Sequence, residues 1–162
     1  MRLVTNTSPL IFLTKIDALA LLPLCFSEIL APAAVLAEVG LELPGFIVPG
    51  KLSELGQAFV RGAIGRLHRG ELEAMVLARE TGIELIALDD RSARHRATQM
   101  GLRPIGTIGL LLLAHRRRHI QASSVQTKID QLVNTHGLYL TGAIRDRIRA
   151  DLASPSGDPR QH

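Results

Sequence analysis

Five of the fifteen acidic residues sit where an ordinary solvated surface does not explain them. Asp89 and Asp90 close the apolar run ELIAL, Glu38 lies among the apolar residues of AAVLAEV, and Glu71 and Glu73 open the stretch ELEAMVLARETG. Each has a simple structural role available. An aspartate after a strand caps the next helix, acids in a first helical turn favour the helix dipole, and a lone helical glutamate faces water. Taken together they suggest more. Carboxylates brought from separate elements to one sheet edge repel each other, and a divalent cation between them offsets that repulsion. Hard oxygen ligands suit Mg2+ or Mn2+, and such a site activates water and clamps an attacked phosphate.

Other chemistries have less support. His115 and His119 lie one helical turn apart in HRRRH, but the positive neighbours favour a phosphate-facing or solvated surface over zinc. Cys25, the single cysteine, lies in the apolar run LALLPLCF and reads as buried filler in a reducing compartment. No GxxxxGK[ST] phosphate loop and no G-x-S-x-G nucleophile elbow occurs, and the glycines of GAIGRLHRG do not follow a convincing strand.

The elements that would position the acids can be read from periodicity and breakers. Arg2–Thr5 reads as a strand, followed by the helix-start signal Asn6-Thr7-Ser8-Pro9. Two short helices broken near Asp17 and Pro23 precede a strand over Ser27–Leu30, and Pro32 opens a helix that stops at Gly40. The stretch 40–70 offers a short FIV strand and mixed helical periodicity. A helix follows Gly70 and ends at Gly82, then the strand ELIAL, a basic helix to Gly101, a short strand LRPIG and the helix TIGLLLLAHRRRHI. Two more helices are expected over 123–135 and 141–152, with a disordered tail over 153–162. Strands alternating with helices predict an α/β fold with a parallel sheet, in a single domain over 1–152. In such sheets, sites lie beyond the carboxyl ends of the strands. That rule selects Asn6, Asp89 and Asp90.

Bulk properties agree. The chain has 162 residues, 46% of them hydrophobic, with aromatics at 3% and no Trp, so its core is aliphatic. A net charge of +4 and a pI near 10.0, carried mostly by arginine, favour a nucleic-acid partner. Arg91, Arg94, His95 and Arg96 follow the acids of ELIALDD, and Arg116, Arg117 and Arg118 lie on another helix. Singly each suits a solvated face; as a set they can hold an RNA backbone. With one Tyr and four Phe, recognition is expected from shape and phosphate contacts rather than base stacking. No stretch reads as a secretion signal or a membrane span, so a cytoplasmic protein is expected.

The segments VTNTSPLI, PAAVLAEV, HRGELEAMVLARETG and ELIALDDRSARHRATQMGLRPIGTIGLLLLAHRRRHI, in this order, resemble the PIN-domain family from about residue 3 to residue 150. The last two segments resemble one branch of it, the PIN-like predicted nucleic-acid-binding proteins related to VapC-type toxins. The resemblance implies a three-layer α/β/α fold with a central parallel sheet, an acidic pocket for Mg2+ or Mn2+, and endoribonuclease activity. It also implies a possible small antitoxin partner and a possible homodimer. Position by position, Glu38 matches the family's second acid and Glu71 the third, with Glu73 as an alternative. Asp90 matches the fourth acid, which Asp89 can replace or assist, and Ser8 matches the hydroxyl supporting the first. At the first acid this chain departs from the family, with Asn6 where the family has Asp. An amide oxygen can still ligate a hard cation, without its charge. Two readings follow: a metal-dependent endoribonuclease, plausibly the toxin of a toxin–antitoxin pair, or a catalytically impaired fold that binds RNA or regulates.

Overall fold

Leu3 and Val4 lie at the centre of the sheet and are buried on opposite faces, as residues of a parallel strand between helical layers must be. The computed structural model describes residues 1–40, 42–63, 65 and 67–153. Five parallel strands, β1 (Arg2–Thr5), β2 (Glu28–Pro32), β3 (Ile47–Gly50), β4 (Leu85–Ala87) and β5 (Arg103–Ile105), make one sheet in the order β3-β2-β1-β4-β5. Val4 pairs with Leu30 on one side and Ile86 on the other.

Alternation along β1 divides the core. Leu3 joins the layer formed with α1 (Thr7–Lys15), α2 (Leu22–Cys25), α3 (Ala33–Val39), α7 (Thr107–Arg116) and α8 (Ala122–Asn134), through Leu10, Val35, Leu111 and Val125. Val4 joins the opposite layer, with α4 (Glu54–Ala63), α5 (Arg69–Thr81) and α6 (Arg91–Gln99), through Val60, Met75 and Ala93. The last helix, α9 (Gly142–Ala153), packs Ile148 onto the first layer. This is the three-layer α/β/α arrangement expected from the sequence.

The chain leaves β1 toward β2 and β3, then crosses back to β4 and β5. The order reverses between β1 and β4, and a crevice opens there beyond the carboxyl ends of the strands. Asn6 follows β1 directly and its N–H donates to the Ala87 carbonyl of β4 at 3.1 Å, which closes the floor of that crevice.

Differences from the sequence reading are local. Pro23 does not break a helix; it sits in the first turn of α2, where its missing N–H costs nothing, and the break falls at Asp17, whose φ is 51°. β2 runs on to Pro32, and α3 then ends at Gly40 with φ 61° as expected. α5 begins at Arg69, before Gly70, because His68 is its N-cap and forms a capping box with Glu71. Ala153 still belongs to α9; residues 154–162, expected to be a disordered tail, lie outside the described residues. No single helix among the described residues is long and apolar enough to cross a membrane.

Candidate metal centre

Four polar side chains converge on the crevice from four elements. Asn6 is the N-cap residue of α1, yet its side chain makes no capping bond. It is 6% exposed, and its Oδ1 is buried with no hydrogen-bond partner. A buried acceptor left unpaired costs about 1–3 kcal/mol, so an amide held this way is placed to accept from something further. Glu38 comes from the last turn of α3 and reaches the same point. A Cβ at Gly70 would lie 3.1 Å from Glu38 Oε2 and 3.4 Å from Asn6 Oδ1. Gly70, on the first turn of α5, therefore keeps open the space between the two oxygens.

Glu71 enters from α5 and is 7% exposed. Its Oε2 accepts the His68 N–H at 3.1 Å. Burial pushes its carboxyl above the ordinary glutamate range; the His68 N–H opposes this, and the charges of Asp90 and Glu38 add to it. Glu71 thus feels the charges of both Asp90 and Glu38. Asp90 is the N-cap of α6, with Oδ1 accepting the Ala93 N–H at 2.8 Å. Its capping role and its place at the rim coexist, since one oxygen suffices for the cap.

Three further acids or hydroxyls named from the sequence are placed differently. Asp89 does not share the space of Asp90. Its Oδ1 accepts the Thr107 N–H and its Oδ2 the Thr107 hydroxyl, both at 2.7 Å, so the two oxygens fasten the start of α7. Burial holds its carboxyl above the usual range, against the Thr107 bonds and the Arg94 charge. Glu73 points away from Glu71: its Oε1 pairs with Arg69 Nε at 2.7 Å and its Oε2 accepts the Ala34 N–H at 3.4 Å, at the start of α3. Successive helix positions two apart do not share a face, which separates Glu73 from Glu71. Among the described residues Ser8 makes no side-chain hydrogen bond to Asn6, while Thr7 Oγ1 donates to Glu38 Oε2 at 2.7 Å. Thr7 was missed because the family pattern points to the second position after Asn6, whereas the turn into α1 aims the first at Glu38. His68 and Gly70 were missed as well. The capping-box spacing His68 to Glu71 is in the sequence; the clearance at Gly70 is not.

The basic residues divide into two groups. Arg91 and Arg94 are exposed on the first turns of α6, at the rim of the crevice. Arg116 ends, and Arg117 and Arg118 follow, a ten-residue helix that runs back along the sheet from the carboxyl end of β5, about 15 Å at 1.5 Å per residue. They lie at the opposite, amino end of the strands, where an Arg117 Nη donates to the Cys25 carbonyl. The fold thus separates the two arginine groups expected to share one RNA path. Cys25 is buried and burial pushes its thiol up, consistent with filler.

The oxygen-only donor set, the unpaired Asn6 Oδ1 and the charges acting on Glu71 suit a hard divalent cation in kind. With Glu38 held by Thr7 and Glu71 by His68, no three acidic, histidine or cysteine side chains among the described residues close round a single point.

Gly70→Ala tests this geometry. The added methyl should displace the Glu38 carboxylate, which lies at the end of an exposed, flexible side chain. We expect thermal stability to stay within about 1 kcal/mol of the parent, since Ala is the better helix former, while any metal-dependent activity falls about 10-fold or more.

A family model described as a PIN domain matches residues 2–154. No curated protein and no solved structure matches the chain.

Proposed function

Because the chain belongs to the PIN-domain family, whose members are generally nucleases that act on nucleic acids with divalent metals, we propose that it is a Mg2+- or Mn2+-dependent endoribonuclease. The observation that carries this reading is the buried, unpaired Asn6 Oδ1 facing Glu38 Oε2 across Gly70, with the charges of Glu38 and Asp90 acting on Glu71. In this reading Asn6, Glu38, Glu71 and Asp90 would hold the cation. The cation would supply a Lewis acid at the scissile phosphate and lower the pKa of an attacking water.

The chain's own groups do the rest. Thr7 orients Glu38, His68 orients Glu71 and the α6 cap fixes Asp90. Arg91 and Arg94 neutralise the phosphates flanking the cut. Asp89 and Glu73 hold α7 and α3 in place and take no part in ligation. A role as the toxin of a toxin–antitoxin pair, restrained by a small antitoxin or assembled as a homodimer, rests on the family resemblance.

Purified protein incubated with RNA and Mn2+ should cleave it, and excess chelator or Asp90→Asn should remove the activity. Cleavage that survives both changes would belong to a contaminant and end the proposal. The neutral Asn6 supports a second reading, a catalytically impaired fold that binds RNA, which Asn6→Asp distinguishes.

A further inference from the structure

Beside the acids, beyond the carboxyl end of β5, a cleft of about 600 Å³ lies between the start of α7 and the chain from Leu138 to α9. We propose that this cleft is a nucleotide subsite, which takes one base and its phosphate from the RNA chain next to the cut. The proposal rests on the nuclease reading and assigns it a path for the substrate.

The volume falls in the range of sites that hold nucleotide-sized ligands, roughly 300–1,000 Å³. Its floor is apolar, with Ile108, Leu112 and Ile144. Ile144 is 46% exposed and Tyr139, at the same cleft, is 85% exposed. A large aromatic left this open supplies a face for a base, and stacking on such faces is tolerant of sequence. The proposal departs from the sequence expectation that shape and phosphate contacts, rather than base stacking, carry recognition.

Two guanidinium groups serve the phosphate. Arg94 and Arg147 both line the cleft. The only ion pairs among the described residues are Arg2–Glu28 and Arg69–Glu73, so neither cleft arginine is neutralised by a carboxylate at contact distance. Of the two acids present, Asp89 is turned into the α7 start by both of its oxygens, and Asp151 lies one turn beyond Arg147 on α9. An apolar floor, an open aromatic and two arginines that make no ion pair at contact distance match the two halves of a nucleotide.

Arg94 also connects the cleft to the acids. It lies one helical turn after Asp90, with its N–H bonded to the Asp90 carbonyl at 3.0 Å. Its Nη1 lies 3.4 Å from where a Gly106 Cβ would stand. Gly106 is the residue between β5 and α7, and its lack of a side chain lets Arg94 Nη1 and Asp89 Oδ1, 3.2 Å from the same point, both approach it.

Tyr139 is the chain's one tyrosine and Trp is absent, so tyrosine emission reports this cleft alone. The full chain would be titrated with a short dye-labelled single-stranded RNA in EDTA, following dye anisotropy and tyrosine emission. We expect saturable quenching of the tyrosine. Tyr139→Ala should weaken binding roughly 10-fold. Arg147→Ala should weaken it too and reduce the salt dependence by about one phosphate contact. Both side chains are exposed, so neither change threatens the fold.

Undiminished RNA affinity in both variants would overturn the subsite, and so would an absence of RNA binding. A variant that alters self-association while RNA affinity stays constant would show a protein interface instead. Because these measurements are made without metal, cleavage is read separately. Cleavage by a protein whose RNA affinity ignores Tyr139 and Arg147 sinks the subsite alone. Tyrosine-dependent RNA binding without cleavage in Mn2+ sinks the nuclease reading alone.

Discussion

Glu71→Gln should reduce metal-dependent RNA cleavage roughly 1,000-fold while making the metal-free protein more stable. The two effects share one cause. Glu71 is buried next to Asp90 and Glu38, and both burial and those charges raise its pKa. Ionised, it is a cost to the fold and an asset to a cation. Glutamine preserves the shape and can still accept the His68 N–H, as a capping box allows, so α5 keeps its start. The lost charge removes one ligand of a site whose cation contributes several kcal/mol to stabilising the transition state; about 4 kcal/mol corresponds to the stated loss.

The stability effect has a fixed pH dependence. A raised folded-state pKa means the folded protein holds the Glu71 proton to a higher pH than the unfolded chain does. Native stability therefore falls as pH rises from the ordinary glutamate value, about 4.3, through the folded value. Glu71→Gln escapes that fall. In EDTA its melting temperature should exceed the parent's at pH 7 and coincide with it near pH 4, by calorimetry. A variant that melts lower than the parent at pH 7 would show that Glu71 does not face Asp90 and Glu38 as charged neighbours.

Asn6→Asp should act in the opposite sense and report directly on the departure from the family pattern. The Asn6 Oδ1 is buried, unpaired and close to Glu38 across the Gly70 gap. An aspartate there adds a fourth negative charge. Without metal it should lower the melting temperature, since like charges in one cavity cannot all ionise freely. With Mn2+ it should gain more stability than the parent, because a ligand that binds only the folded state stabilises in proportion to its affinity. Cleavage should rise by about 10- to 100-fold, the range over which groups that tune a metal site act. Equal cleavage by parent and variant would instead make Asn6 a working neutral ligand. If Mn2+ raised the melting temperature of neither protein, the cation site itself would be refuted.

The contrast between Asn6 and Thr7 shows how the site uses the start of α1. Asparagine at an N-cap ordinarily turns its oxygen back onto the helix N–H groups. Here it does not, and the oxygen faces the crevice. Thr7, the next residue, donates to Glu38 and so ties α3 to α1 at the level of the acids. Glu73 ties α3 to α5 from the other end through the Ala34 N–H. The helix that carries Glu38 is only seven residues long, too short to be stable by itself. Its position is set by these two links and by Val35 and Val39 in the core.

Much of this was decided by the amino-acid order alone. Apolar runs bounded by Gly40, Gly82 and Gly101 fixed where helices stop, because a left-handed residue after a helix favours glycine. The alternation of strands and helices required a parallel sheet, and the carboxyl-end rule then pointed to Asn6, Asp89 and Asp90. What the order of residues left undetermined was direction. Adjacent acids look equivalent on paper, yet Asp89 turns to Thr107 while Asp90 caps α6, and Glu73 turns to Arg69 and Ala34 while Glu71 meets Asp90. The arginines of α6 and those at the end of α7 share a composition but stand at opposite ends of the sheet, because a helix following a parallel strand must run back along it. Likewise the open space at Gly70 and the cleft beside Tyr139 exist only between elements distant in sequence. Local preference chooses the element; packing against neighbours chooses which way each side chain faces, and the chemistry depends on that.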